Sequence, residues 1–249
     1  MNKETIFLSD IHLNEKATKI SENFELFLTY CSENESQIDS IYILGDLFEF
    51  WIGDDFLNEF NQSIIQKLKH ISDKVSNTYL MHGNRDFLIQ QQFEQNTGFN
   101  LLPDPHVITL GNKNIILSHG DIYCTDDIAY QTFRSQVRNE QWQQHFLSKS
   151  INERIQIALK ARQESITRQK ESNRLTEEYI SDVNELEIKS SFSQYNADLI
   201  IHGHTHRPNK HDYIMNKELK IRYVLPAWYE QAGFLKYDHQ LNQYNFIYL

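Results

Sequence analysis

Five short apolar segments, each stopping at a cluster of Asp, His, Asn or Gly, constrain the fold of this chain more than any other feature. In chain order they are IFLSDIH (6–12), IYILGD (41–46), YLMHGNRD (79–86), IILSHGD (115–121) and LIIHGHTH (199–206). Short continuous apolar runs of this kind predict strands that are buried on both faces. The polar clusters then mark the ends of the strands, where α/β folds place their sites.

Helical periodicity fills the intervals between the first three strands. The helical segments are roughly 18–34, 56–74 and 87–97, and Gly98 is placed to end the last of them. Alternating strands and helices predict βαβ units and an α/β fold. From about residue 220 the runs KIRYVL, GFLKYD and NFIYL predict short antiparallel strands that complete a second sheet.

Composition excludes several classes of protein. The chain has 249 residues, of which 40% are hydrophobic, and its formal net charge is −10. An acidic chain is poorly suited to general nucleic-acid binding, which needs a basic face. We find no apolar stretch of about 20 residues and no signal peptide, and two cysteines make no disulfide framework. We therefore expect a soluble cytoplasmic protein.

Seven side chains with oxygen or nitrogen donors follow the five strands. They are Asp10, His12, Asp46, Asn84, His119, His204 and His206. Residues two apart in an extended segment point to the same side, so Asp10 and His12 are expected to form a pair, as are His204 and His206. Seven donors exceed the needs of one metal ion and suit two ions about 3.5–4 Å apart that share a carboxylate, for which Asp46 is the natural candidate. Imidazole, carboxylate and amide donors without thiolate favour Mn, Fe or Zn.

Each motif alone has an ordinary structural interpretation. Asp-x-His, Gly-Asp and Gly-Asn-Arg-Asp are all compatible with simple turns. The HGHTH segment (202–206) is more specific, because a structural turn has no need of three histidines in five residues. Five such motifs at five strand ends together indicate a metal site.

The five motifs resemble the signature of the calcineurin-like metallophosphoesterases, which is D-x-H, G-D, G-N-[HR]-[DE], H and G-H-x-H. The resemblance implies a two-sheet α/β/β/α sandwich with helices outside. It also implies the ligands of two metals. Asp10, His12, Asp46 and His206 would hold one, and Asp46, Asn84, His119 and His204 the other.

One position departs from many members of that superfamily. Where they carry a His that protonates the leaving group, this chain has Arg85. Arginine does not give up a proton at neutral pH, but its guanidinium binds phosphate oxygens in a bidentate manner. A phosphate leaves without protonation, so Arg85 as the catalytic contact indicates a pyrophosphate substrate.

Longer motifs resemble the UDP-2,3-diacylglucosamine pyrophosphohydrolases of lipid A biosynthesis in Gram-negative bacteria. These are GDLFEFWIGDD (45–55), HGNRDFL (82–88), HGDIYCTDD (119–127) and IHGHTHRP (201–208). The resemblance implies two Mn²⁺ ions and attack of water on the α-phosphorus, giving UMP and 2,3-diacylglucosamine 1-phosphate. It implies a substrate with two acyl chains and hence transient, peripheral contact with the cytoplasmic face of the inner membrane. Asn84, Arg85 and His204 would contact the substrate.

The segment 128–190 is a long helical insertion within what we interpret as a single domain spanning 1–249. Residues 128–175 contain nine Lys and Arg against four Glu, a net charge of +5. Alone, the segment fits a solvated helical hairpin; by resemblance it is a cap over the site. The resemblance implies that Asp127, Ser165 and Asn173 bind substrate. A lysine of the family falls on Thr176, and Lys170 or Arg174 are the possible replacements.

Two alternative functions are open at this point. The same scaffold serves phosphoesterases for water-soluble nucleotides or phosphodiesters, and a fold of this kind also serves as a non-catalytic scaffold. We expect His82 and His202 to be structural, and Asp86 and Asp121 to orient His or Arg side chains near the metals. The sequence leaves the oligomeric state open.

Overall fold

Two mixed β-sheets flanked by helices make up the part of the chain that this computed structural model describes, residues 3–171, 182–229 and 231–249. The first sheet has the strand order β11-β10-β1-β2-β3-β4, and the second has the order β5-β6-β7-β9-β8. The strands are β1 Glu4–Leu8, β2 Ile38–Leu44, β3 Asn77–Met81, β4 Asn100–Leu102, β5 His106–Leu110, β6 Lys113–Leu117, β7 Leu199–His202, β8 Asn209–Met215, β9 Glu218–Val224, β10 Gly233–Asp238 and β11 Gln243–Tyr248. The α/β sandwich expected from the sequence is confirmed.

Helices connect the parallel strands of the first sheet, as the alternating pattern predicts. They are α1 Thr18–Glu33, α2 Glu59–Ser72 and α3 Gln91–Thr97. The helix α2 starts three residues later than predicted, because the Asn58 side chain caps it by accepting the N–H of Asn61. Gly98 ends α3 with φ +73° and donates its N–H to the Glu94 carbonyl, which confirms its predicted role.

The C-terminal strands do not all complete the second sheet, and this part of the prediction is wrong. Strand β10 pairs antiparallel with β1, and β11 extends the first sheet beyond it. Strand β9 does lie in the second sheet as predicted, antiparallel to β8 on one side and parallel to β7 on the other. The pattern of a short strand does not specify its partner, since pairing depends on contacts far apart in the chain.

Three layers of apolar side chains explain why the strand sequences are continuously apolar, as expected for strands buried on both faces. Ile6 and Leu8 of β1 pack with helix residues such as Phe27, whereas Phe7 between them packs with Leu117 of the second sheet. On the other side of the second sheet, Phe192 and its neighbours pack from a further helix, α7 Glu185–Gln194. The order is therefore helix, sheet, sheet, helix.

Three helices occupy the first part of the predicted insertion, where the sequence suggested one or two. They are α4 Ile128–Val137, α5 Glu140–Leu147 and α6 Ile151–Glu171. Of the apolar side chains that recur along these helices, Phe146 and Val137 are buried, but Phe133 and Leu159 are 38% and 53% exposed. The apolar side chains of the insertion are therefore only partly used for packing on the core. In the described residues we find no helix long and apolar enough to cross a membrane.

Asp86 fastens the ends of β2 and β3 to each other. Its buried carboxylate accepts the N–H of Leu47 at 2.7 Å and of Gly83 at 2.8 Å, with longer bonds from Asp46 and Phe48. These bonds fix the two loops that carry Asp46 and the residues after Gly83. The prediction that Asp86 orients a His or Arg side chain is therefore wrong, because its partners are backbone groups.

Replacing Asp86 with Ala is expected to lower the free energy of unfolding by at least about 2 kcal/mol, because it leaves several buried N–H groups without acceptors. Urea unfolding measures this change. The exposed Asp73, which pairs with Lys69 on the surface of α2, provides the control, and Asp73→Ala should change the free energy by less than about 1 kcal/mol. Equal losses in the two variants would contradict the role given to Asp86.

Candidate metal centre

Five of the seven expected ligands have left-handed backbone conformations. They are Asp10 (φ 52°), His12 (φ 57°), Asp46 (φ 53°), His204 (φ 66°) and His206 (φ 55°). Such values are uncommon for residues other than glycine, and they cluster at functional sites where the surrounding structure enforces them. The expectation that each Asp/His or His/His pair lies in an extended segment is therefore wrong. The left-handed residues after the strands bring Asp10 and His12 into the same half of the site, whereas His204 and His206 lie in different halves, so the predicted pairing of these two histidines is not observed.

One half of the site gathers around Asp10. His206 Nε2 lies 3.3 Å from Asp10 Oδ1 and 3.4 Å from His12 Nε2. His12 Nε2 in turn lies 3.8 Å from Asp46 Oδ2. Ligand atoms of Asp10, His12 and His206 all lie within 4.8 Å of one another.

The other half of the site gathers around the side-chain oxygen of Asn84. Asn84 Oδ1 lies 2.9 Å from both His119 Nε2 and His204 Nδ1. His119 Nε2 lies 3.8 Å from Asp46 Oδ1. The two oxygens of Asp46 thus face different halves of the site, Oδ2 toward His12 and Oδ1 toward His119. A carboxylate placed in this way suits the bridging position between two cations.

Surrounding groups orient these side chains. The Leu44 carbonyl lies 2.9 Å from His119 Nδ1, so that ring donates there and its Nε2 is free to face the site. Asp10 accepts the hydroxyl of Ser9 and the N–H of His204. The backbone N–H of Arg85 donates to Asp46 Oδ1 at 2.8 Å. His119, Asp10 and Asp46 are thus held in place by the protein itself.

The electrostatics of the buried site keep the carboxylate of Asp10 charged and divide the histidines: the pKa values of His12 and His204 are lowered, whereas those of His119 and His206 are raised. Burial lowers the pKa of His12, and burial together with His119 lowers the pKa of His204 to about 3. Burial opposes the charge of His119, but the carboxylates of Asp46 and Asp10 raise its pKa to about 9. Burial also opposes the charge of Asp10, yet the neighbouring histidines hold the pKa of Asp10 below its usual range.

The donor set fits divalent cations. Asp10 and Asp46 are buried, and the ion pairs they form in the described part of the chain are with histidine rings. Deprotonated carboxylates and neutral imidazoles are the forms that bind metals. Positive charge from cations would compensate two carboxylates that are otherwise costly to bury together.

Arg85 lies at the edge of this site. Its Nε is buried and has no hydrogen-bond partner among the described residues. An orphaned guanidinium nitrogen beside two carboxylate-rich halves is available for an anionic ligand.

Several neighbours have the structural roles expected of them. His82 Nε2 contacts the Ile89 carbonyl at 2.7 Å, and His202 Nδ1 contacts the Gly203 carbonyl at 2.9 Å. Asp121 accepts from Arg134 Nε at 2.8 Å, which agrees with the prediction that it orients an arginine. Burial raises the pKa of the Cys124 thiol, which makes it a poor nucleophile.

The expected substrate contacts of the insertion are described only in part. Asp127 caps α4, accepting the N–H of Tyr130 at 2.9 Å. Ser165 falls within the span of α6, but its side chain, like that of Lys170, lies outside the described structure. Asn173 and the alternatives Arg174 and Thr176 are outside the described residues as well.

Two residues of the site were missed by the sequence analysis. Glu49 is buried, and its Oε2 lies 3.3 Å from His12 Nδ1. The Tyr229 ring stacks on the His12 ring with centroids 4.6 Å apart. A carboxylate inside the apolar run LFEFWI (47–52) was the available signal for Glu49. Nothing in the sequence pattern marks Tyr229.

Comparison with known proteins finds relatives of similar sequence and structures of similar fold. The family model described as calcineurin-like phosphoesterase matches residues 4–208. A UDP-2,3-diacylglucosamine hydrolase of Stenotrophomonas maltophilia is 41% identical over 237 residues, covering 94% of each chain. One of Xanthomonas oryzae pv. oryzae is 40% identical, over 94% of this chain and 95% of the relative. Among solved structures, an archaeal phosphodiesterase superposes with a TM-score of 0.50 at 11% identity, covering 99% of both chains.

Addition of Mn²⁺ to metal-stripped protein is expected to raise its Tm. A cation that binds only the folded state adds about 2.7 kcal/mol at a concentration 100 times its Kd. Asp46→Asn should lose most of this gain because Asp46 faces both halves of the site, whereas the exposed His70→Ala on α2 should keep it. Differential scanning calorimetry gives the answer, and an undiminished gain in Asp46→Asn would argue against Asp46 as a ligand.

Proposed function

Because this chain belongs to the calcineurin-like phosphoesterase family and its curated relatives are UDP-2,3-diacylglucosamine hydrolases, we propose that it hydrolyses the pyrophosphate bond of UDP-2,3-diacylglucosamine. The products would be UMP and 2,3-diacylglucosamine 1-phosphate, with water attacking the α-phosphorus. The observation that carries the proposal is the position of Asp46, whose two oxygens face two separate groups of ligands.

We propose that two Mn²⁺ ions occupy these two groups. Asp10, His12, Asp46 and His206 would hold one ion, and Asp46, Asn84, His119 and His204 the other. When bound, such a pair of cations activates water and neutralises the negative charge of a phosphate. Divalent metals are characteristic of the family, while the choice of manganese and the number of two belong to the proposal.

The protein's own contribution is to bind and orient the diphosphate. The buried, unpartnered Nε of Arg85 supports a role in holding phosphate oxygens. A guanidinium presents several donors in one plane, so it fixes the phosphate in one orientation as well as attracting it. Asn84 and His204 face the same space and complete the contacts to the substrate.

The leaving group follows from the same arginine. Arg85 does not donate a proton at neutral pH. The departing group therefore needs to be stable without protonation, and a phosphate monoester meets this requirement. A diphosphate substrate cleaved between its two phosphates satisfies the condition, whereas an alkoxide leaving group does not.

The segment 128–190 is proposed to act, through its helices α4, α5 and α6, as a cap that receives the lipid part of the substrate. Its first helices carry apolar side chains that the core does not cover, among them Ile128, which is 70% exposed, and Leu159. Acyl chains need an apolar surface of this kind. The net charge of +5 over residues 128–175 also suits an anionic head group. Asp127, Ser165 and Asn173 remain the proposed contacts.

The same features support peripheral contact with the cytoplasmic face of the inner membrane. A substrate with two acyl chains resides in a bilayer, so the enzyme has to reach its surface. Basic residues near a membrane surface are attracted to anionic lipids, each contributing about 1 kcal/mol.

Metal-stripped protein supplied with UDP-2,3-diacylglucosamine should release UMP only after Mn²⁺ is added. Asn84→Ala should reduce the rate at least about 10-fold, because it removes an oxygen that faces two histidines. Asn96→Ala, an exposed position on α3, provides the control and should leave the rate unchanged. Chromatographic detection of UMP measures both.

The other outcomes separate the alternatives. Cleavage of a simple water-soluble phosphodiester without release of UMP would retain the metal centre and contradict the lipid substrate. Absence of both reactions in metal-loaded protein would contradict the enzymatic proposal and favour a non-catalytic scaffold.

A further inference from the structure

Glu49 joins three separate parts of the molecule through one buried carboxylate. It lies in the loop between β2 and α2 and is only 6% exposed. Its Oε2 faces His12 and accepts the hydroxyl of Tyr229, which follows β9. Its Oε1 accepts from the guanidinium of Arg162 on α6. A buried carboxylate in such a position needs these partners to offset the loss of hydration.

The contact with His12 determines which nitrogen of that ring faces the cation site. Glu49 Oε2 lies 3.3 Å from His12 Nδ1, on the side of the ring away from the site. The opposite nitrogen, Nε2, lies 3.9 Å from Asp10 Oδ1 and 3.8 Å from Asp46 Oδ2. This approach does not have the geometry of a hydrogen bond, so Glu49 acts through its charge: a carboxylate beside one imidazole nitrogen favours the proton there and leaves the other nitrogen as the metal-binding atom.

Tyr229 restrains the same ring from its face. Its ring stacks on His12 at a centroid distance of 4.6 Å and an interplanar angle of 25°, while its hydroxyl donates to Glu49. The imidazole is therefore held at its edge by Glu49 and at its face by Tyr229. Rotation of the ring away from the site would break both contacts.

The contact with Arg162 brings the proposed cap into the same network. Arg162 lies 113 positions after Glu49 in the chain and belongs to α6, which packs on the first sheet's core through Ile155 and Ala158. When α6 is docked, the guanidinium of Arg162 neutralises the Glu49 carboxylate, which orients His12. Glu49 therefore contacts both α6, through Arg162, and the candidate ligand His12.

We propose that Glu49 is a positioning residue that orients His12 for its cation and links α6 to the metal centre. This inference rests on the dinuclear centre of the proposed function. It predicts that loss of the Glu49 carboxylate weakens one of the two cation sites, the one that includes His12, and leaves the other unchanged.

A second carboxylate–arginine contact on the same helix supplies a matched control. Arg154 of α6 donates to the carboxylate of Asp55 and to the Ile52 carbonyl at 2.8 Å. Asp55 therefore also fastens α6 to the loop after β2, but within the described part of the chain its side chain contacts Arg154 and none of the seven candidate ligands. Asp55→Asn should loosen the helix without altering His12.

The experiment is a Mn²⁺ titration of metal-stripped wild type, Glu49→Gln, Glu49→Ala and Asp55→Asn, with free Mn²⁺ measured by electron paramagnetic resonance. Wild type should bind two ions, and Asp55→Asn should bind each of them with the same affinity as wild type. The Glu49 variants should bind one ion as wild type does and the other at least about 10-fold more weakly, the effect expected when a carboxylate partner of a liganding histidine is lost. Amide hydrogen exchange should show faster exchange in α6 in both Glu49→Gln and Asp55→Asn.

Each of the other possible results of the titration contradicts one specific part of the proposal. Wild-type affinity for both ions in a folded Glu49 variant would overturn the positioning role, and the isosteric Glu49→Gln decides if Glu49→Ala does not fold. Equal weakening in Asp55→Asn would also overturn it, because the effect would then arise from loosening of the helix. Binding of fewer than two ions by wild type would instead contradict the dinuclear centre itself.

Discussion

The burial of two carboxylates among histidine rings is the constraint on which the rest of this structure depends. Asp10 and Asp46 lie within the same small group of potential ligands and are almost fully buried. Their proximity is unfavourable unless positive charge lies between them. The buried histidines supply part of that charge, as the raised pKa of His119 shows. Divalent cations would supply it completely, which is the physical reason for interpreting this cluster as a metal centre.

The fold is arranged to hold these donors against their repulsion. Strands β1, β2 and β3 of the first sheet end beside β6 and β7 of the second, so the loops of both sheets converge at one edge. Asp86 ties two of the loops together through backbone N–H groups. Left-handed residues turn the chain immediately after the strands. Strain of this kind persists only where the surrounding structure is stable enough to impose it.

Sequence reasoning was successful where the determinants are local. Apolar runs identified the strands that lead into the site, but not β4, β5 or β8, and the helix end at Gly98 followed from its conformational freedom. The seven donors were found because each follows a strand directly. The strand pairing of β10 and the contacts of Glu49 were not predictable in this way. Glu49 meets Arg162 and Tyr229, which lie 113 and 180 positions away, and no local pattern records such contacts.

The left-handed backbone conformation of the candidate ligands was also not predictable from the sequence. Period-two spacing correctly paired Asp10 with His12, but for the wrong geometric reason, since both residues are left-handed rather than extended. The spacing rule applies to regular strands, and these residues lie just past the end of one. The proposed cap lies in the helices after residue 128, whose apolar surface is only partly buried.

Anomalous diffraction from crystals grown with Mn²⁺ tests the central claim most directly. The account predicts two manganese peaks about 3.5–4 Å apart, one on each side of the Asp46 carboxylate. A single peak, or a pair of peaks that Asp46 does not join, would contradict it.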